Sequence, residues 1–178
     1  MNKDKIKKVL YDIFIKYQGI IILLVIIDQI TKIIALNYFK TPIKIFGLDW
    51  LQFRLVFNKG VAFSMLDDAP LWTKAMISLV AFILIEAYII VKKPEDKIFK
   101  TMLLLVAAGA LGNGIDRWLA VFPDVTGYEG VVDFIYVSWF ANFNVADIYV
   151  TVTCLGMIVY MLLTSDEVKK VKDKNTHE

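Results

Sequence analysis

Two residue types that build many active sites are almost missing from this 178-residue chain, which has one cysteine and one histidine. Cys154 therefore has no partner within the chain for a disulfide, and its place in an apolar run reads as a small buried hydrophobe. His177 lies in the charged stretch after Asp166, so a His-based triad or metal site is excluded. Charge of one sign is lacking too: 20 Lys+Arg face 18 Asp+Glu, a net +2 that argues against a nucleic-acid binder. Charged residues make up only 21% against 58% hydrophobic, which excludes an intrinsically disordered chain. No internal repeat and no Pro- or Ser-rich linker divides it. A membrane protein is the class that remains.

A bilayer core of about 30 Å needs roughly 20 helical residues, and four apolar segments approach that length: 17–36, 71–91, 98–118 and 147–164. The pattern predicts an α-helical integral membrane protein with a single four-helix domain over 1–164 and a charged cytoplasmic tail over 165–178. The first segment reads as an uncleaved span, because no small-x-small cleavage pattern follows it and Asp28 interrupts its apolar run. An even number of crossings puts both termini on one side. Lys3, Lys5, Lys7, Lys8 and Lys16 precede the first span, Lys92, Lys93, Lys97 and Lys100 flank the turn between the second and third, and Lys169, Lys170, Lys172 and Lys174 follow the fourth. By the positive-inside rule that side is cytoplasmic.

The extracytoplasmic loops, 37–70 and 119–146, are more than linkers. In W-L-Q-F-R-L-V-F-N the alternation puts Leu51, Phe53, Leu55 and Phe57 on one face, which predicts a half-buried strand before a turn at Asn58-Lys59-Gly60. The second loop holds Tyr128, Tyr136, Trp139, Phe140 and Phe143, amphipathic aromatics suited to the headgroup level. An apolar-faced strand next to a membrane is suited to lie on the bilayer surface or to roof a cleft.

Polar residues in the apolar segments carry a desolvation cost and mark candidate sites. Asp28 and Lys32, spaced i,i+4, can pair on one face of the first span. Asn113, Asp116 and Arg117 share a face at the end of the third, where Gly109, Gly112 and Gly114 permit close helix approach. Asp133 sits in V-V-D-F-I between apolar neighbours, and Asp147 opens the fourth span. Glu86, in the second, has no partner nearby in sequence and no assigned role. Two carboxylates at one membrane boundary have a chemical use: one, ionised, takes a proton from water while the other, protonated, polarises a scissile carbonyl and later donates to the amine. A helix N-terminus favours the ionised form of Asp147, and apolar flanks make Asp133 the better neutral acid.

In order, D-Q-I-T-K (28–32), N-K-G-V-A-F (58–63), G-N-G-I-D-R (112–117), V-V-D-F (131–134) and F-N-V-A-D (143–147) resemble the five sequence blocks of lipoprotein signal peptidase, the type II signal peptidase of bacteria. The likeness covers residues 17 to 164. It implies an aspartyl peptidase of the bacterial inner membrane that removes signal peptides from prolipoproteins just before a diacylglyceryl-modified Cys. It implies Asp133 and Asp147 as the catalytic pair, Asn58, Asn113, Asp116, Arg117 and Asn144 as residues that line or brace the site, and Asp28 and Lys32 as the matching pair on the first span. Inhibition by the cyclic peptide globomycin, contact with membrane lipid and no metal or other cofactor are implied as well. Gly114 departs from the family, whose members commonly carry a bulkier residue there.

A small four-span transporter or channel subunit is the main rival, but it would place its ionisable residues near mid-bilayer. A peptidase of the G-x-G-D type does not fit the spacing Gly112-Asn113-Gly114-Ile115-Asp116. A metal enzyme or scaffold using its aspartates to hold Mg²⁺ or Ca²⁺ is the third alternative.

Overall fold

The computed structural model describes residues 17–60 and 69–176, with side chains up to residue 164. Four long helices carry the chain: α1 (Gln18–Tyr38), α2 (Leu71–Lys92), α3 (Lys97–Ala120) and α4 (Val145–Thr176). Each contains a stretch long and apolar enough to cross a membrane, in α4 the part Val145–Thr164. The helix ends lie within two residues of the four apolar segments at nearly every boundary. The helical conformation of α4 continues through the charged segment that follows its apolar part.

The helices are apolar all round because they face two apolar surroundings. On α1 the buried positions Ile21, Val25, Asp28, Lys32 and Ala35 form one stripe at helical spacing, while Ile22, Leu23, Ile30 and Ile33 are exposed. In water such a surface would be a large apolar patch; in a bilayer it is the lipid-facing side. Cys154, expected inside, is exposed on α4 instead. Lipid solvates a small apolar side chain as well as a core does, so its apolar flanks did not report burial.

Helix α3 lies at the centre, with contacts to α1, α2 and α4. Its buried face is made of Ala107, Ala108, Gly109, Gly112, Asn113, Gly114 and Asp116. A Cβ on Gly109 would stand 2.6 Å from Val150 Cγ2 and 2.8 Å from the Ala146 carbonyl oxygen, so the close approach of α4 requires glycine there. Asp96 caps the start of α3 by accepting from the Phe99 N–H at 2.6 Å. An apolar cluster of Ile21, Val25, Ile89, Leu104, Ala107 and Ala108 fills the bundle away from the loops.

At the other end the two long loops combine into one antiparallel sheet of sequential order, β1 (Ile43–Lys44), β2 (Leu51–Asn58), β3 (Val131–Val137) and β4 (Asn142–Phe143). Strand β2 was expected; β3 was not distinguished from loop, although V-V-D-F-I-Y-V is rich in β-branched and aromatic residues. The β2–β3 register pairs Asn58 with Val131, Val56 with Asp133 and Phe53 with Ile135, with a bulge between Phe53 and Val56. At the bulge the Leu55 N–H leaves the ladder and donates to the Phe39 carbonyl at 2.8 Å, tying the sheet to the end of α1. A second apolar cluster, Ala35, Val132 and Phe134 with Phe39, Phe53 and Phe57 against it, glues the sheet onto the bundle. Phe39 and Phe53 stack with centroids 4.8 Å apart. Trp139 and Phe140 stand exposed in the turn between β3 and β4.

Candidate active site

Strand pairing delivers the first carboxylate. With Val56 opposite Asp133, Asn58 is its diagonal neighbour on the same face of the ladder, and the Asn58 amide donates to Asp133 Oδ2 at 3.0 Å. Asn58 Oδ1 in turn accepts from the Gly60 N–H at 2.9 Å, which fixes the amide's direction. Gly130 makes this approach possible, since a Cβ there would meet the Asn58 carbonyl oxygen at 2.5 Å.

The second carboxylate is delivered by a helix cap. Asn144 precedes α4, its side-chain oxygen accepts from the Asp147 N–H at 3.0 Å, and Asp147 Oδ2 accepts from the Asn144 N–H at 3.1 Å. This is a reciprocal capping box with aspartate as its acidic member. The Asn144 amide nitrogen still has two protons to place. One goes to Asp133 Oδ1 at 2.8 Å and the other to Asn113 Oδ1 at 3.1 Å. Asn113 completes the circuit by donating to Asp147 Oδ1 at 2.8 Å. Two side-chain amides therefore join the two acids.

A buried ionic layer lies beneath. The Lys32 ammonium is fully buried, 2.9 Å from Asp28 Oδ2 and 3.0 Å from Asp116 Oδ2, and it donates to Asn113 Oδ1 at 2.9 Å. Three donors meet three acceptors, the condition under which a buried charge is tolerable. Asp28 Oδ1 accepts from the Ala146 N–H at 2.9 Å, and Asp116 Oδ2 accepts from the Val132 N–H at 2.9 Å. The ionic layer thus grips α4 just before Asp147 and β3 just before Asp133.

All nine sequence-predicted site residues converge on this end of the bundle, in different relations. Asn58, Asn113 and Asn144 touch the two acids, while Asp28, Lys32 and Asp116 act through Asn113 or the backbone. Asp116 is held by Lys32, and the Arg117 guanidinium donates to Ser78 Oγ at 2.7 Å. It remains within electrostatic reach of Asp147, Asp116 and Asp133. Gln29 was missed; its amide donates to the Gly112 carbonyl and to Asp116 Oδ1, each at 3.1 Å. Its place beside Asp28, inside an apolar span, was the available signal. Glu86 accepts from Gln18 at the opposite end of the bundle. At Gly114 a Cβ would come within 3.3 Å of Ser78 Cβ, so its smallness lets α2 lie close.

The two acids differ in exposure. Asp133 is 1% exposed and Asp147 only half-buried. Burial, with the Asp147 charge second, pushes the Asp133 carboxyl up from 3.8 to about 7, against the lowering effect of the Asn58 and Asn144 bonds. Such a group is able to hold a proton near neutral pH. Among the described residues no cluster of three or more His, Cys, Asp or Glu is placed to hold a metal ion.

Fold and site together define a multi-pass α-helical membrane protein whose fully buried charged side chains gather at one end, where carboxylates and amides organise the site. The family model for signal peptidase (SPase) II matches residues 20–163. A lipoprotein signal peptidase of Acinetobacter baylyi is 34% identical over 98% of this chain and 99% of its own length; one of Clostridium tetani is 32% identical over 80% and 90% respectively. A solved bacterial membrane enzyme structure superposes with a TM-score of 0.70 at 25% identity, covering 86% of this chain and 92% of the other. The chain belongs to the signal peptidase II family, and its function is that of a membrane lipoprotein signal peptidase. The transporter alternative is not favoured.

Proposed function

We propose that the chain is an aspartyl endopeptidase of the bacterial inner membrane, with Asp133 and Asp147 as its catalytic pair and both termini cytoplasmic. Its substrates are prolipoproteins, cut just before the diacylglyceryl-modified Cys. The observation that carries this reading is the amide circuit through Asn113 and Asn144. It brings two acids from separate elements into one electrostatic unit, while burial raises Asp133 toward the pKa a proton carrier needs.

In this mechanism Asp147, ionised at the start of α4, takes a proton from a water molecule as the water oxygen attacks the scissile carbonyl. Asp133, protonated, donates a hydrogen bond to the carbonyl oxygen and then gives its proton to the departing amine. The proton held by Asp147 restores the pair. Asn58 and Asn144 keep Asp133 from turning, and the ionic layer of Asp28, Lys32 and Asp116 fixes Asn113 and the backbone on either side. The sheet, with exposed Trp139 and Phe140 at its turn, supplies an apolar surface at the membrane boundary for a substrate that is itself a lipid-bearing membrane helix. The family resemblance implies inhibition of this reaction by the cyclic peptide globomycin.

The direct test is in vitro processing of a diacylated prolipoprotein peptide by the wild type, Asp133→Asn and Asp147→Asn, with and without globomycin. Each variant should lose at least about a thousandfold in turnover, and the wild type should be inhibited. Substantial processing by both variants would overturn the mechanism.

A further inference from the structure

Helix α2 contributes none of the residues that the sequence blocks single out, yet its few buried positions are unusual. They are Lys74, Ala75, Ser78 and Ile89, so two of the four are polar, and both lie one turn apart near the helix start beside the sheet. Lys74 is 2% exposed. Enclosing an ammonium in a membrane helix is costly unless its donors are used, and one of its bonds runs to the main-chain carbonyl of Lys59.

That carbonyl occupies a strategic place. Lys59 is the middle residue of the Asn58–Gly60 turn, which already carries the bond from the Gly60 N–H to Asn58 Oδ1. The free end of the same Asn58 amide reaches Asp133 at 3.0 Å. Beyond Asn58 the β2–β3 ladder stops, so strand pairing does not hold the turn. Lys74 anchors it to α2 instead. From the same face Ser78 donates to the Lys74 carbonyl at 3.1 Å and accepts from Arg117, which joins this brace to the charge beside Asp147.

We propose that Lys74 is a positioning residue for the peptidase reaction: by holding the Lys59 carbonyl it fixes the turn from which Asn58 binds and orients Asp133. The inference rests on the reading of Asp133 as a catalytic acid. Freed from Lys74, the turn lets Asn58 withdraw, and Asp133 loses both an orienting contact and a donor that favours its ionised form.

The test compares Lys74→Met, which keeps the aliphatic length and removes the donors, with Lys74→Arg, which keeps a cationic donor, in detergent-solubilised full-length enzyme. Lys74→Met should lower kcat by about ten- to a hundredfold, change KM by less than about twofold, and move the alkaline limb of the pH–rate profile upward. Lys74→Arg should restore most of kcat. In an Asn58→Ala background, Lys74→Met should add little, because the contact it protects is already gone. An unchanged kcat and pH limb in Lys74→Met would overturn the proposal, as would a full additive loss in the Asn58→Ala background. Asp133→Asn, assayed alongside, separates the two levels: if it remains active the catalytic reading itself fails, whereas an inert Asp133→Asn with a normal Lys74→Met removes only the positioning role.

Discussion

Asn144 and Asp147 exchange hydrogen bonds across the first turn of α4, each side chain accepting from the other's backbone N–H at 3.0 and 3.1 Å. The same Asn144 amide holds Asp133 Oδ1 at 2.8 Å. One side chain therefore caps a helix, orients the half-buried acid and binds the buried one. Asn144→Ala should remove all three at once. The lost cap alone costs about 1 kcal/mol, and the vacated partners of a fully buried amide add about 1–3 kcal/mol. Thermal unfolding in detergent should fall accordingly, and turnover should fall by more than stability explains. Asn144→Asp tests the sign of the amide's role: it retains the cap acceptor but faces Asp133 Oδ1 and Asn113 Oδ1 with an oxygen where the amide donated, so it should restore neither the stability nor the activity of the wild type at neutral pH.

Asp133 sets the pH dependence. Its carboxyl ionises near 3.8 in the unfolded chain and at about 7 in the fold. Between those values the unfolded state has released a proton that the folded state keeps, so stability declines as pH rises through this window and is level below it. The Asp133→Asn variant has no such group. Its melting temperature relative to wild type should rise from about pH 4 to pH 7 and then plateau, a crossover visible in melts run at several pH values. The wild-type turnover should fall on an alkaline limb near pH 7 as the proton is lost. A flat stability difference across that range would contradict the raised pKa.

Gly112 shows how closely the ionic layer is built against α3. A Cβ there would lie 2.6 Å from Asp28 Oδ2 and 3.2 Å from its Cγ. Asp28 has no freedom to yield, since its oxygens are engaged by Lys32 and the Ala146 N–H. Gly112→Ala should therefore displace the carboxylate from Lys32 and loosen the start of α4, with a large fall in melting temperature and loss of peptidase activity. Gly127→Ala is the informative contrast: open space surrounds it, so its cost is confined to the positive φ of 72°. Equal damage from both substitutions would show that backbone conformation, and not contact with Asp28, decides the outcome.

The bundle was legible because lipid imposes length and apolarity on every span, and the acids were legible because lipid makes them conspicuous. Less visible was the sheet. Strand β2 announced itself by alternation, but β3 is buried at its first four positions, which removes the polar-out rhythm and leaves an apolar run indistinguishable from loop-flanked hydrophobics. For Asp133 the flanking Val132 and Phe134 were a sign of burial; that the residue sits in a ladder opposite Val56 was not available from them. Ion pairing was half legible. Asp28 with Lys32 follows from i,i+4 spacing, whereas Asp116 with the same lysine depends on how α1 packs on α3, a relation no local spacing encodes. Ser78 and Lys74 stayed hidden for the same reason: each is a polar residue in a largely apolar helix, and its meaning lies in a neighbour from another element.

Lys32 provides the sharpest test of that tertiary arrangement. Its ammonium lies between Asp28 and Asp116 and is the cationic donor to Asn113. Lys32→Met removes the charge with little change in volume, leaving two buried carboxylates without their cation. Breaking a buried pair by removing one partner costs about 3–5 kcal/mol, and here two acids lose theirs, so the variant should express poorly or melt far below wild type. The triple variant Lys32→Met, Asp28→Asn, Asp116→Asn removes the stranded charges as well and should regain much of the stability, because uncharged side chains of similar shape tolerate the same burial. Activity should not return with it: Asn113 no longer has the cationic donor that sets its amide toward Asp147. Recovery of both melting temperature and turnover in the triple variant would show that the layer only holds the fold and does not orient the site.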